Sequence, residues 1–213
     1  MQVGLGVQVG GITTNFTQGG AQATGQVTNL MISGDGFFVV QRGGQSLYTR
    51  AGAFAFDSSG NLVTPDGDTV MGYAGDASAG TLAAVNVPGL DGTGTPKLVS
   101  YSIGPDGVIT GVYDDNTQNA IFRIAMANFP NPAGLEKAGD TTFREGANSG
   151  VPQPGAPGTG PLGTLMGGSL EMSNVDLAQE FTNLIIAQRG FQATSRVITT
   201  SDQVLEELVN IKR

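Results

Sequence analysis

The sequence predicts a mainly β fold: a β-rich domain of short antiparallel strands and hairpins, with an irregular connector and one long C-terminal α-helix. Two observations favour strands and turns in the first part: Gly supplies 34 of the 213 residues, and only 13% are charged. A third predicts the helix, because apolar residues recur at helical spacing over the last 40 residues. We therefore divide the chain into residues 1–168 and 169–213.

The first β block is predicted from Met1 to about Gly89. Near its start, valine and leucine alternate with glycine and glutamine from Val3 to Val9, which is the period of a half-buried strand. Five further runs rich in β-branched and aromatic residues follow. They are Phe37–Val40, Ser46–Thr49, Ala53–Phe56, Asn61–Val63 and Thr69–Met71.

Turn sequences separate these runs. Arg42 to Gln45, Asp57 to Gly60 and Pro65 to Asp68 each contain glycine, and the last two also contain aspartate. Glycine accepts positive φ angles and aspartate bonds to the backbone of a turn, so successive hairpins are expected.

A second β block is predicted from Pro96 to Ala127, after a loop from Gly89 to Pro96. Its strands are expected at Ser100–Ile103, Gly107–Ile109 and Ala120–Ala125. The connector, residues 128–168, contains six prolines and many glycines, which disfavour a long helix or a central strand. Interspersed Phe129, Phe143 and Leu165 indicate that the connector is ordered.

The predicted helix begins near Asn174, because Ser173 and Asp176 have the spacing of a capping box. One column of apolar residues recurs every seven positions: Leu177, Leu184, Phe191, Ile198 and Leu205. A helix reaching Ile211 would be on the order of 55 Å long. We expect it to need partner helices, since one apolar stripe of that length exceeds what a small domain covers.

Composition argues against most enzyme classes and several partners. The chain has no Cys and no His, so thiol and imidazole chemistry are missing. Its net charge of −8 offers no basic stripe for nucleic acid. We find no apolar run for a membrane span and no signal-peptide pattern. We therefore expect no catalytic activity, no cofactor, no metal, no nucleic acid and no membrane insertion.

Three segments resemble the bacterial flagellar hook and distal-rod protein family. Met31 to Val40 is followed by Tyr48 to Phe54 and then by Asp57 to Val63, in the order and spacing of that family. The C-terminal block from Gly163 to Arg213, with Ala187 to Gln192, resembles the terminal helix of the family. The resemblance covers most of the chain and is closest to the hook protein.

The resemblance implies a structural subunit of the flagellar hook, a tube that joins rod and filament in motility. Its implied partners are further copies of itself, neighbouring axial proteins and the type III export apparatus. It implies a place in the extracellular or periplasmic hook-basal body, reached without a cleaved signal peptide. We assign subunit packing to Leu177, Phe181, Leu184, Gln188, Arg189, Phe191, Ile198 and Leu205.

Two departures from the family keep alternatives open. Met1 to Gly10 resembles a point well inside family members, so their N-terminal helix, which would pair with the C-terminal one, is expected to be missing. The gap from Ala74 to Lys97 is short where many hook proteins carry an inserted domain. A distal-rod subunit is therefore the first alternative, and a secreted β-rich binding module is a second one.

Overall fold

Antiparallel pairing organises the computed structural model, which describes residues 14–89 and 97–211. The chain divides between Met172 and Ser173 into two units, each treated by itself below. The predicted strand from Val3 to Val9 lies outside the described residues. So does the predicted loop from Gly89 to Pro96, apart from Gly89.

The first unit is built from short strands, and the predicted mainly β fold is confirmed. Its described strands are β1 (Ala21–Ala23), β2 (Leu30–Ser33), β3 (Phe37–Arg42), β4 (Gln45–Thr49), β5 (Ala55–Phe56), β6 (Leu62–Val63), β7 (Thr69–Ala74), β8 (Ala83–Ala84), β9 (Leu98–Ile103), β10 (Val108–Tyr113), β11 (Gln118–Ile124), β12 (Met126–Asn128), β13 (Glu136–Gly139), β14 (Thr142–Arg144), β15 (Gln153–Gly155), β16 (Thr164–Gly167) and β17 (Ser169–Glu171).

One large sheet has the strand order β13-β14-β4-β3-β7-β11-β10-β9. Strands β12, β15, β5, β6 and β8 attach to it beside this path, whereas β16 pairs with β2 and β1 pairs with β17 in two small ribbons. The predicted hairpin between β3 and β4 is confirmed. Its two turn residues, Gly43 and Gly44, have φ angles of 57° and 86°, which a two-residue hairpin of this type requires.

The turn between β5 and β6 depends on one carboxylate. Oδ1 of Asp57 accepts hydrogen bonds from the backbone N–H groups of Ser59 and Asn61, both at 2.8 Å, and Oδ2 accepts one from the Asn61 side chain at 2.9 Å. These bonds favour the charged carboxylate. The pKa of Asp57 is therefore lowered, chiefly by the side chain and the backbone N–H of Asn61.

Strand β3 is buried on both faces, which places it at the centre of the unit. Phe38 and Val40 belong to the larger apolar core, while Phe37 and Val39 belong to a second cluster on the opposite face. The N-terminal segment covers this second cluster through Phe16. The ring of Phe16 packs edge to face on Phe37, with ring centroids 5.1 Å apart.

The connector is ordered, and it is more regular than its composition indicated. It carries strands β13 to β16, and β14 lies between β13 and β4 inside the large sheet. The expectation that the connector excludes a central strand is wrong for β14, because residues 133–151 contain no proline. Pro154 lies in β15, whose described partner is β12 on one side, a position where a missing N–H costs little.

The second unit contains one helix, α1 (Leu177–Ile211), of 35 residues. It begins three residues after the predicted start near Asn174. The reason is its cap: Oδ1 of Asp176 accepts the backbone N–H of Ala178 at 2.8 Å and, less closely, that of Gln179. Ser173 instead accepts the N–H of Val175, outside the helix.

Replacing Gly52 by Ala is expected to destabilise the first unit by about 2–4 kcal/mol. A Cβ at this position would collide with the backbone carbonyl oxygen of Leu30. Thermal or urea unfolding followed by circular dichroism measures the loss. Gly20→Ala is the matched control, because a Cβ at Gly20 meets open space. Equal stabilities of the two variants would contradict the tight contact.

Replacing Asp57 by Asn is expected to lower stability at neutral pH but not in acid. Because the folded-state pKa of Asp57 is lowered, its contribution is present above its ordinary pKa and is lost as the pH falls through the folded value. Urea unfolding between about pH 3 and pH 7 measures the difference. Asp66→Asn in the next turn is the control, and a pH-independent difference for Asp57→Asn would refute the assignment.

Candidate assembly surface

The two ends of the first unit meet in the β1–β17 ribbon. Ala21 is opposite Glu171, and Ala23 is opposite Ser169. The pairing continues beyond the strands, since the N–H of Met172 donates to the carbonyl of Gly20 at 2.8 Å. The segment that leads towards α1 is thus held to the N-terminal segment before the first unit ends.

A partly buried ion pair fixes this ribbon to the rest of the first unit. Nε of Arg50 donates to Oε2 of Glu171 at 2.9 Å, and the two side chains are only 14% and 13% exposed. Oε1 of Glu171 accepts the N–H of Gly19 at 2.9 Å. The remaining Arg50 nitrogens donate to the carbonyls of Gly34 and Gly36. We call Gly19, Arg50 and Glu171 the terminal clasp.

Sequence reasoning missed the terminal clasp. Arg50 lies in the segment from Tyr48 to Phe54 that resembles the family, but its partner Glu171 is 121 residues away in the sequence. The requirement for glycine at position 19 is visible only in the structure. A Cβ there would collide with the carbonyl oxygen of Met172, so a side chain cannot be accommodated. The clasp holds three distant segments at the point where the chain leaves the first unit.

All eight predicted assembly residues lie on α1, and all eight are exposed. The apolar ones are between 52% exposed, for Leu184, and 73% exposed, for Phe191. Each described side chain of α1 is exposed, so the helix has no core within its own unit. The role of these residues in subunit packing stays a prediction.

The apolar surface of α1 is larger than the predicted set. Ile186 and Ile211, 64% and 80% exposed, add to it. Ile186 was missed because it lies on the side of the helix opposite Leu177. Monomeric proteins rarely expose apolar surface of this extent, and such surfaces mark contacts with other molecules.

Five hydroxyl groups on α1 donate to backbone carbonyls within the helix: those of Thr182, Thr194, Thr199, Thr200 and Ser201. Ser201 donates to the carbonyl of Val197 at 2.8 Å, and Thr182 donates to that of Ala178 at 2.8 Å. These polar side chains can therefore enter an apolar contact without losing a hydrogen bond. The mixed apolar and hydroxyl composition of α1 suits a protein–protein interface.

Within residues 14–89 and 97–211, no group of three or more acidic side chains is arranged to hold a metal ion. None of the same residues belongs to a helix that could span a membrane.

A polar groove beside Tyr48 contains Glu136, Arg144 and Glu145. Burial raises the pKa of Tyr48, and the charge of Glu145 adds to the increase.

A clasped β unit followed by a 35-residue helix with exposed apolar side chains is typical of a class of protein, the structural subunits that pack against other chains. Two family models match the chain. "Flagellar hook protein FlgE/F/G D1 domain" covers residues 31–111, and "Flagellar basal body rod FlgEFG protein C-terminal" covers residues 166–211. The chain belongs to this family of flagellar hook and rod proteins, and it is a flagellar axial structural subunit.

Individual relatives differ in how much of the chain they match. The flagellar basal-body rod protein FlgG of Bacillus subtilis is 43% identical over all 213 residues, which span 75% of that protein. FlgG of Borreliella burgdorferi is 35% identical over 214 aligned residues, again 75% of its length. The hook protein FlgE of Borreliella burgdorferi is 49% identical over 122 residues, 57% of this chain and 28% of that protein.

Breaking the terminal clasp with Arg50→Gln or Glu171→Gln is expected to loosen the β1–β17 ribbon. A lost charged hydrogen bond costs about 1.5–3 kcal/mol, so the amides of Gly19 and Thr24 should exchange with solvent at least about tenfold faster. Hydrogen exchange measured by NMR tests this. Arg144→Gln is the control, since its ion pair with Glu136 is half exposed. Unchanged exchange in both clasp variants would contradict the role.

Proposed function

We propose that this chain is a subunit of the flagellar basal-body rod, that it acts mechanically, and that it has no enzymatic activity. We choose the rod over the hook because of the extent of the alignments. The rod relatives align with the whole chain and the chain spans three quarters of them, whereas the hook relative aligns with little more than half of the chain. This proposal reverses the preference for the hook that the sequence alone indicated.

The length of one segment supports the same choice. Between β7 and β9, only 23 residues, 75–97, connect the two strands, and the described part of this connection carries the two-residue strand β8. The chain spans 28% of the Borreliella hook protein, so most of that protein lies outside the matched residues. The short connection between β7 and β9 favours the alternative of a distal-rod subunit.

In this proposal the first unit is a rigid body and α1 provides contacts between subunits. Identical subunits joined through different surfaces form open helical arrays, which is how a rod can grow without chemistry. The proposed partners are further copies of this chain, adjoining axial proteins and the type III export apparatus.

The hook remains the alternative to be tested, because the local identity to the hook relative is high. Electron microscopy of basal bodies from a strain with this gene deleted in frame separates the two. We expect truncated or missing rods, with full rods restored in the complemented strain. Complete rods that end without hooks would identify a hook subunit. Intact rods and hooks would refute both roles.

A further inference from the structure

Two lysines in the described part of the first unit have no ion-pair partner among the described residues. The arginines of this unit are each paired with a carboxylate: Arg42 with Asp68, Arg50 with Glu171, Arg123 with Asp106 and Arg144 with Glu136. The lysines are Lys97, directly before β9, and Lys137 in β13, and both side chains are exposed. Each therefore presents an ammonium group that a carboxylate of another molecule can reach.

The polar groove beside Tyr48 has a volume of about 410 Å³ and lies where β13, β14 and β4 adjoin. In it, Arg144 donates to Oε2 of Glu136 through Nε at 2.9 Å and through Nη2 at 2.7 Å. Oε1 of Glu136 and both carboxylate oxygens of Glu145 accept no hydrogen bond from a described residue. Because two carboxylates face one guanidinium, the groove is negative and attracts a cation.

The Tyr48 side chain gives a second, independent indication of a ligand. Tyr48 lines the groove but is only 5% exposed, and its ring packs edge to face on Phe129 with ring centroids 4.7 Å apart. Its hydroxyl forms no hydrogen bond with any described residue, whereas buried polar groups normally have a partner. Burial and the nearby charge of Glu145 raise the pKa of Tyr48, so the hydroxyl is neutral at neutral pH.

The acceptors in the groove suit a primary ammonium group. A lysine ammonium is a compact charge with three donors, and the groove offers the carboxylate of Glu145, Oε1 of Glu136 and the hydroxyl oxygen of Tyr48. These oxygens belong to three different side chains. A guanidinium instead prefers two oxygens of one carboxylate in its own plane. The groove therefore favours lysine over arginine.

Lys97 cannot reach the groove of its own chain. The groove lies at the β13–β14–β4 end of the large sheet, and Lys97 precedes β9 at the other end. Six strand spacings separate β14 from β9, which is roughly 29 Å and beyond the reach of one side chain. Lys137 is opposite Phe143 in β14 but is not among the residues that line the groove. An occupying lysine thus comes from another molecule.

We infer that the Lys97 ammonium of one copy of this chain enters the groove of a second copy, where it contacts Glu145 and Tyr48. The contact joins the two opposite ends of the large sheet in successive copies. Such head-to-tail contacts between different surfaces generate open helical arrays. The inference deepens the proposed function, on which the presence of neighbouring copies rests, and it adds a contact that belongs to the first unit alone.

Zero-length cross-linking with a carbodiimide tests the contact, because the reagent joins an ammonium to a carboxylate only where the two groups touch. Full-length chains labelled with ¹⁴N and ¹⁵N are mixed in equal amounts, cross-linked at high concentration and digested for mass spectrometry. We expect Lys97–Glu145 links that contain both isotopes, at least about fivefold more frequent than Lys137–Glu145 links of mixed isotope. Cells that express the chain are treated in parallel, and their axial structures are isolated.

Three results would overturn the inference. Lys97–Glu145 links absent both from the concentrated chain and from the axial structures would refute the contact. Mixed-isotope links from Glu145 to Lys137 or Lys212 in excess over those to Lys97 would identify another occupant. Lys97–Glu145 links within single chains only would contradict the separation across the sheet. The assay reads contacts in whichever axial structure contains the chain, so it is independent of the deletion experiment that separates rod from hook.

Charge reversal tests the pairing of the two side chains. Lys97→Glu alone and Glu145→Lys alone are each expected to weaken association about fivefold, because each brings like charges together. The double variant should return to within about twofold of the unmodified chain. Sedimentation of the full chain and its amount in isolated axial structures measure the effect. Lys137→Glu and Asp66→Lys are the controls of equal charge change, and a double variant as weak as the single ones would refute the pairing.

Tyr48→Phe separates the role of the hydroxyl in the contact from a role in folding. The ring stays in place, and the removed hydroxyl bonds to no described residue, so the melting temperature should not change. Association should weaken about twofold to fivefold, since the ammonium loses one acceptor. A lower melting temperature together with unchanged association would show that the hydroxyl serves the fold and not the contact.

Discussion

The constraint on which the structure depends is that α1 cannot bury its apolar side chains in its own unit. A 35-residue helix with exposed leucine, isoleucine, valine and phenylalanine along its length gains little from helix propensity alone. Its stabilisation has to come from packing against other helices. Gly190 in the middle lowers intrinsic stability by a further ~1 kcal/mol relative to alanine. The proposed role of the second unit in contacts between chains follows from this constraint, and the first unit supplies a stable base.

The first unit provides that base through one strand and one ion pair. Strand β3 is buried on both faces and joins the two apolar clusters, so the sheet resists deformation at its centre. The Arg50–Glu171 pair then holds the β1–β17 ribbon to residues 34–36 and 50. Force applied along the segment after Glu171 would be carried by a charged hydrogen-bond network and a strand pairing, both directed into the sheet.

Interactions between residues that are close in the sequence could be predicted, whereas interactions between distant residues could not. The β3–β4 hairpin was predictable because Gly43 and Gly44 carry its signal locally. The β1–β17 ribbon was not, since each of its strands has only three residues and the two are separated by more than 140 residues. The start of α1 was misplaced because both Ser173 and Asp176 are good caps, and only geometry shows which one bonds to the first free N–H groups. The apolar positions of α1 could be located because helical periodicity is visible in the sequence, while the role of the eight residues in subunit packing stays a prediction.

A single heptad column is an incomplete description of α1. A column of seven-residue spacing drifts around a straight α-helix by about 20° in each heptad, so it does not stay on one side over five turns or more. Ile186, which is 64% exposed, lies on the side opposite Leu177. The exposed apolar side chains therefore extend around the helix, and one straight partner helix could cover only part of them.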